Sequence, residues 1–295
     1  MSPSQSHLFG LVGHPVEHSL SPPMHKAALE HTGLSGDYEL VDLDAGVLSS
    51  GIAELKARGF SGFNVTIPHK QALLSLCDKL TADAEKTRAV NTVKIDNGSR
   101  LIGHNTDLGG FSKALSGILP EDLRTKVACV VGAGGAARAA VWSLIAGGWP
   151  RIVLVARNRD RILELIGDVA SVGEKLNPPA SIPRFESADT GAIGLTIPDL
   201  LVNCTSIGLG GEPVPEWFVD LLRMVNPEGV VFDMVYSRDG EPTPLVREAL
   251  RLRLICCDGT DMLIHQASIA FEFWTGRAVP TEIMKQALGQ ARSTR

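Results

Sequence analysis

KVACVVGAGGAARAAVWSLIAGG, residues 126–148, sets the pattern from which the rest of the chain follows. An apolar run of strand length meets a glycine cluster, and an alanine-rich segment of helical length follows it. The next apolar run, RIVLVAR (151–157), reads as a second strand. Strand, glycine turn, helix and strand in this order open a dinucleotide-binding βαβ unit. Gly132 permits the tight turn. Gly134 lets the backbone approach a pyrophosphate, which then faces the positive end of the helix. The pattern is G-x-G-G-A, with Ala137 in the place of a third glycine. Gly132, Ala133, Gly134, Gly135 and Ala136 are therefore candidate cofactor contacts. A purely structural tight turn is the competing reading, and the flanking strand and helix weigh against it.

The end of the second strand selects the dinucleotide. An acidic residue there would accept hydrogen bonds from a ribose 2′-hydroxyl and favour NAD. This strand instead runs into Val155-Ala156-Arg157-Asn158-Arg159-Asp160-Arg161. Arg157 and Arg161 face one way if a helix begins there, and a guanidinium pair suits a 2′-phosphate. The expected cofactor is NADP, with NAD the weaker alternative.

Outward from this unit, short apolar runs alternate with amphipathic ones. LFGLVG (8–13), GDYELVDLD (36–44), DLLVNCTSIG (199–208) and GVVFDMVY (229–236) read as strands. GFNVTIPHK (62–70) reads as a strand running into a helix. AVNTVKIDNGSRLIGHNTD (89–107) reads as a hairpin turned at Asn97-Gly98. GIAELKARG (51–59) has helical spacing and a glycine stop, and IHQASIAFEFWTG (264–276) reads as a final helix before Pro280. ASVGEKLNPPASIPRF (170–185) reads as a loop-like connection. Apolar strands separated by helices imply parallel sheets covered on both faces, hence the α/β class. The expected division is a substrate-binding domain of 1–107 plus 241–295 and a nucleotide domain of 108–240.

Composition narrows the function. The chain has 295 residues and a net charge of −5, with no basic patch to attract nucleic acid. Cys77, Cys129, Cys204, Cys256 and Cys257 include no CxxC pair and read as reduced thiols. The opening MSPSQSHLFG lacks the pattern of a signal peptide, and no run approaches membrane-spanning length. A cytoplasmic protein with no membrane or nucleic-acid partner is expected. His14, His18, His25, His69 and His104 lack metal-ligand spacing with acidic partners, so no metal is expected.

Candidates for chemistry gather at strand ends. Lys70 follows Thr66 at the end of one strand, and Asp107 closes the hairpin after Asn105-Thr106. A lysine that exchanges a proton needs a fixed carboxylate beside it and partial shielding from water. Asn64, Thr66, Asn91, Thr92 and Asn105 surround these two in sequence. Asn91, lying among apolar residues, needs hydrogen-bond partners. Turn capping is the competing reading, strongest for Thr92 and Asn105. Ser19 and Ser21 flank Leu20, so their hydroxyls can point one way and hold a carboxylate; helix capping by Ser21 is the alternative.

Taken together, these segments resemble the shikimate dehydrogenase family. They are Gly13-His14-Pro15 with HSLSPPMH (18–25), NVTIPHK (64–70), AVNTV (89–93), NTD (105–107), VVGAGGAARA (130–139), NCTSIG (203–208), FDMVY (232–236) and MLIHQA (262–267), in the family's order. The resemblance implies an open α/β substrate domain and a Rossmann-type NADP domain, with the active site in the cleft between them. It implies Lys70 as the acid/base group paired with Asp107. Ser19, Ser21, Thr66, Asn91, Tyr236 and Gln266 would line the substrate pocket. The glycine turn, Arg157, Arg161, Thr205, Met234 and Gly259 would touch NADP. The implied reaction is reversible reduction of 3-dehydroshikimate to shikimate by a monomer or homodimer. Departures are Arg88, Leu108 and Asp261 where the family usually has glycine, Lys26 for an asparagine, and Ala156 for another. A paralogue acting on quinate or aminoshikimate, a non-catalytic ligand-binding relative, and another Rossmann enzyme such as a methylene-tetrahydrofolate dehydrogenase are the alternatives.

Overall fold

The computed structural model describes residues 6–96, 99–119, 127–176, 180–188 and 197–294. The Asn97-Gly98 turn, Lys126 and part of the 170–185 connection lie outside the described residues. The chain divides into two units, Met1–Gly110 with Leu263–Arg295, and Phe111–Met262.

The first unit begins with β1 (His7–Gly13), α1 (Ser21–Thr32), β2 (Gly36–Asp42), α2 (Leu48–Ala57) and β3 (Gly62–Val65). It continues with β4 (Lys79–Leu80), α3 (Ala82–Thr87), β5 (Thr92–Ile95) and β6 (Leu101–His104). The strands form one sheet in the order β2-β1-β3-β5-β6-β4. β1 is parallel to β2 and β3, whereas β5 is antiparallel to both β3 and β6. The expected hairpin is thus present, and it makes this sheet mixed rather than wholly parallel. Phe60, Phe63, Val65, Val90 and Val93 share a core with Ile52 and Leu55 of α2. A fully buried side chain such as Phe63 contributes roughly 1.5–3 kcal/mol.

α4 (Asp107–Ser116) carries the chain into the second unit. There β7 (Val127–Val131), α5 (Gly135–Ala146), β8 (Arg151–Val155), α6 (Arg159–Lys175) and β9 (Arg184–Ala188) come first. β10 (Leu200–Asn203), α7 (Glu216–Arg223), β11 (Val230–Asp233), α8 (Pro244–Arg251) and β12 (Ile255–Cys257) complete it. The sheet runs β12-β11-β10-β7-β8-β9, every pairing parallel. Counted within the unit this is the strand order of a dinucleotide-binding fold, with the switch point between β7 and β10. Val131, Val155, Leu201 and Val231 pack with Phe218 and Leu222 of α7. α9 (Thr260–Thr275) returns the chain to the first unit, where α10 (Thr281–Ser293) packs on α1.

Three sequence expectations change. After β3 the chain makes turns through the Ile67-Pro68 bond and forms only a short 3-10 turn at Ala72–Ser75, not a full helix. Proline biases the residue before it away from helical backbone. Residues 170–175, expected in a loop, complete α6, where Val169 and Gly173 are buried. Residues 241–262, expected with the first domain, belong with the second unit, because β12 pairs along β11.

α3 ends on Arg88, whose φ of 49° is left-handed. That conformation costs a side-chain-bearing residue about 1–2 kcal/mol, which glycine avoids at some cost in chain entropy. Arg88→Gly is therefore expected to raise Tm by about 1–3 °C. A lower Tm in a thermal melt would show that contacts of the guanidinium outweigh the relief.

Candidate active site

The carboxyl ends of β1, β3 and β6 and the start of β5 lie at one end of the first sheet. Val65 N–H donates to the Asn91 carbonyl (2.7 Å), Asn91 N–H to the His104 carbonyl (3.1 Å), and Val90 N–H to the Lys70 carbonyl (2.7 Å). These backbone bonds draw three distant stretches of chain together. Lys70 Nζ donates to Asp107 Oδ2 at 2.6 Å, with the lysine side chain 19% and the aspartate 6% exposed. Asp107 is the first residue of α4, where a carboxylate is favoured by the helix dipole.

Asn91 organises the pair. Its Nδ2 donates to Asp107 Oδ1 (2.8 Å) and lies within reach of Thr106 Oγ1 (3.0 Å) and Gln266 Oε1 (3.2 Å). Its Oδ1 accepts from Thr106 N–H (2.7 Å) and from Thr92 Oγ1 (3.1 Å). The amide is thereby oriented with its NH2 group on the carboxylate. The buried Asn91 has the partners its apolar surroundings demand. Asn105 acts structurally, donating to the Ala89 carbonyl (2.9 Å) and accepting from Leu108 N–H (3.2 Å). Thr106, which sequence alone leaves within its motif, is a full member of the cluster; only its polar type in a buried strand end hints at this.

Ser19 and Ser21 lie in the turn from β1 into α1. Ser19 Oγ donates to Ser21 Oγ (3.1 Å) and accepts from Ser21 N–H (3.1 Å), so the two hydroxyls do sit side by side. Ser21 is the first residue of α1 and makes no side-chain cap, so the capping alternative fails. Thr66 directly follows β3, half-buried, with its N–H on the Val12 carbonyl (2.9 Å).

In the second unit the glycine turn behaves as the sequence requires. Gly132 has φ +120°, a conformation other residues rarely adopt. Gly134 stands before α5 without a side-chain cap, and a Cβ there would meet nothing within 4 Å. The first N–H groups of α5 are therefore uncapped beneath open space, which fits a pyrophosphate. At the ends of the neighbouring strands, Asn203 Oδ1 accepts from Thr205 Oγ1 (2.7 Å), and Asn203 Nδ2 donates to buried Asp233 (2.9 Å). Met234 and Tyr236 follow β11, both half-buried. A Cβ on Gly259 would meet the Met234 carbonyl at 2.3 Å, so glycine allows this close approach. Asp261, in the first turn of α9, is exposed, and Leu108 is half-buried.

Arg157 and Arg161 are both exposed at the edge of this surface. α6 begins at Arg159, capped by Asn158, so Arg157 precedes the helix and the pair does not share a helical face. The two instead flank the helix start, with exposed Arg159 a third guanidinium that the sequence alone does not single out. Among the described residues no group of three His, Cys, Asp or Glu side chains is placed to hold a metal, and no helix is long and apolar enough to cross a membrane.

A parallel sheet in dinucleotide-binding order and a shielded ammonium–carboxylate pair define the architecture of a nucleotide-dependent dehydrogenase. The model of the shikimate dehydrogenase substrate binding domain matches residues 11–93, and that of the shikimate 5′-dehydrogenase C-terminal domain matches residues 259–288. The chain is 39% identical to the shikimate dehydrogenase (NADP(+)) of Magnetococcus marinus, over 96% of each chain. It superposes on the shikimate 5-dehydrogenase of Thermus thermophilus, solved with NADP(H) and shikimate, with a TM-score of 0.78 and 33% identity over 97% of this chain and 99% of that one. On Corynebacterium glutamicum quinate dehydrogenase, solved with NAD, the TM-score is 0.83 and the identity 28%, over 97% and 99%. The chain belongs to the shikimate dehydrogenase family.

Proposed function

We propose that this protein is an NADP-dependent shikimate dehydrogenase that interconverts 3-dehydroshikimate and shikimate. The observation that carries the reading is the Lys70–Asp107 pair, held by Asn91 at the carboxyl ends of the first unit's strands. When bound, NADPH supplies the hydride that reduces the ketone. Lys70 Nζ gives the proton that the new alkoxide takes, and Asp107 holds the ammonium in place between turnovers. Ser19 and Ser21 offer paired hydroxyls to the substrate carboxylate, while Thr66, Asn91, Gln266 and Tyr236 take the ring hydroxyls. Gly132, Ala133, Gly134, Gly135 and Ala136 would hold the pyrophosphate, with Thr205, Met234 and Gly259 placed for the rest of the dinucleotide. Arg157 and Arg161 would hold the 2′-phosphate. The five free cysteines fit a cytoplasmic protein, working as a monomer or homodimer on small molecules alone.

The test is a matrix of kcat/KM values for shikimate and quinate, each with NADP+ and NAD+. The largest value is expected for shikimate with NADP+. A larger value for quinate would reassign the substrate, and no turnover in any cell would remove the enzymatic reading. Arg157→Ala is expected to lower kcat/KM for NADP+ about tenfold, the range of a lost charge-assisted hydrogen bond, with little change for NAD+. Equal losses with both cofactors would reject the 2′-phosphate role.

A further inference from the structure

Asn91 does not orient the carboxylate alone. A line of hydrogen bonds runs into it from the far side of the sheet, and every donor points the same way. Tyr38 Oη donates to Asn64 Oδ1 (2.9 Å), and Asn64 Nδ2 donates to Thr92 Oγ1 (3.0 Å). Thr92 Oγ1 donates to Asn91 Oδ1 (3.1 Å), and Asn91 Nδ2 donates to Asp107 Oδ1 (2.8 Å). All five residues are buried. The first link lies in β2, at the edge of the sheet, and the last starts α4. The phenol ring is sealed by His25, whose ring stacks on it with centroids 4.4 Å apart and an interplanar angle of 2°. Trp274 covers the same place, its centroid 6.4 Å from that of Tyr38.

We infer that Tyr38 is a positioning residue for the Lys70–Asp107 pair, acting through Asn64 and Thr92. The inference rests on the proposed function, since it assigns a role within that site. The physical ground is that an amide between hydroxyls has two orientations: the Asp107 carboxylate and the Thr106 N–H fix that of Asn91, and the Tyr38 hydroxyl steadies Asn64 in the one that matches it. The Tyr38 hydroxyl donates to Asn64 Oδ1, and its ring is held in the aromatic slot by the stack on His25. With Oδ1 held, Asn64 must present its NH2 group to Thr92, so the Thr92 hydroxyl is free to donate to Asn91. Bonds aligned in one direction in a dry interior also polarise one another. Without the phenol, Asn64 is able to turn over, the Thr92 proton swings back to it, and Asn91 Oδ1 keeps only its bonds from the Thr106 N–H and hydroxyl. Lys70 from the turn after β3, Asn91 from the start of β5, and Thr106 with Gln266 next to Asn91 are the groups that then decide the carboxylate's setting. A carboxylate that has lost a firmly placed donor is protonated more readily.

Tyr38→Phe keeps the ring and its stack on His25 and removes only the hydroxyl. Thr92→Val interrupts the line at equal volume, and Thr92→Ser restores the hydroxyl. Steady-state rates of shikimate oxidation by NADP+ would be measured from pH 5 to 10, with Tm as the measure of folding. Tyr38→Phe and Thr92→Val are each expected to lower kcat about three- to tenfold, the scale of one lost hydrogen bond, with KM for shikimate within about twofold. The acid limb of kcat should move to higher pH in both, and Thr92→Ser should behave as the wild type. A folded Tyr38→Phe with wild-type kcat and acid limb overturns the inference. So does a fall in kcat that follows Tm while the acid limb stays in place. A wild-type chain that does not turn over shikimate overturns the functional reading itself, and the inference with it.

Discussion

Lys70→Ala is expected to lower kcat for shikimate oxidation by about 10²–10⁴, the usual range for removing a general acid/base group. Shikimate binding, followed by calorimetry, should survive, because the serine pair, Thr66 and Asn91 remain. The arrangement makes lysine suited to proton exchange. Asp107 occupies one of three ammonium donors, and the half-shielded position leaves the others to face a ligand. Loss of the amine also strands a buried carboxylate, so some stability will be lost with it. Lys70→Arg separates the two effects. It keeps a cation beside Asp107, yet a guanidinium does not release its proton at working pH. Arginine is expected to restore Tm relative to alanine while leaving kcat low. Activity within tenfold of wild type in Lys70→Ala would sink the assigned role, and so would full activity in Lys70→Arg. Asp107→Asn should lose turnover as well, since an amide neither fixes nor balances the ammonium charge.

Much of this site is legible in the sequence because its members share one cause. Polar residues at the ends of apolar strands have no packing reason to be there, and Lys70 and Asp107, unremarkable singly, stand out in the company of Asn64, Thr66, Asn91, Thr92 and Asn105. The glycine turn is legible for a similar reason, since a strand running straight into Gly132 requires a backbone that only glycine readily adopts. Other features carry no local mark. Tyr38 sits in an ordinary alternating strand, and nothing in GDYELVD says that its hydroxyl faces Asn64, 26 positions away. The role of Thr92 depends on the direction of its proton, which is a property of the whole line of bonds. The boundary near residue 262 escapes the sequence because β12 is only three residues long and its membership rests on pairing with β11. A shared helical face for Arg157 and Arg161 requires a helix that starts before Arg157, whereas the Asn158 cap sets the start at Arg159.

The stack beneath Tyr38 carries a second large expectation, this time in stability. His25 is 1% exposed, and neither ring nitrogen meets a hydrogen-bond partner. Burial pushes its pKa down from 6.5 to about 3, with the nearby Asn64 side chain acting weakly in the opposite direction. In the unfolded chain the imidazole titrates near its ordinary value. Between about pH 6.5 and pH 3 the unfolded state therefore binds a proton that the folded state refuses, and stability falls as pH falls. Above about pH 6.5 the contribution is fully present. Each pH unit below that removes about 1.4 kcal/mol, so roughly 2 kcal/mol should be gone by about pH 5. His25→Phe keeps an aromatic ring against Tyr38 and cannot be protonated. Carboxylates titrate alike in both proteins, so the difference between them isolates the histidine. Urea unfolding at about pH 7.5 and about pH 5 should show the variant gaining about 2 kcal/mol on the wild type over that interval. The same loss of stability in both proteins would mean that His25 finds room for its proton in the folded state, and that the slot under Tyr38 is wetter than its packing indicates.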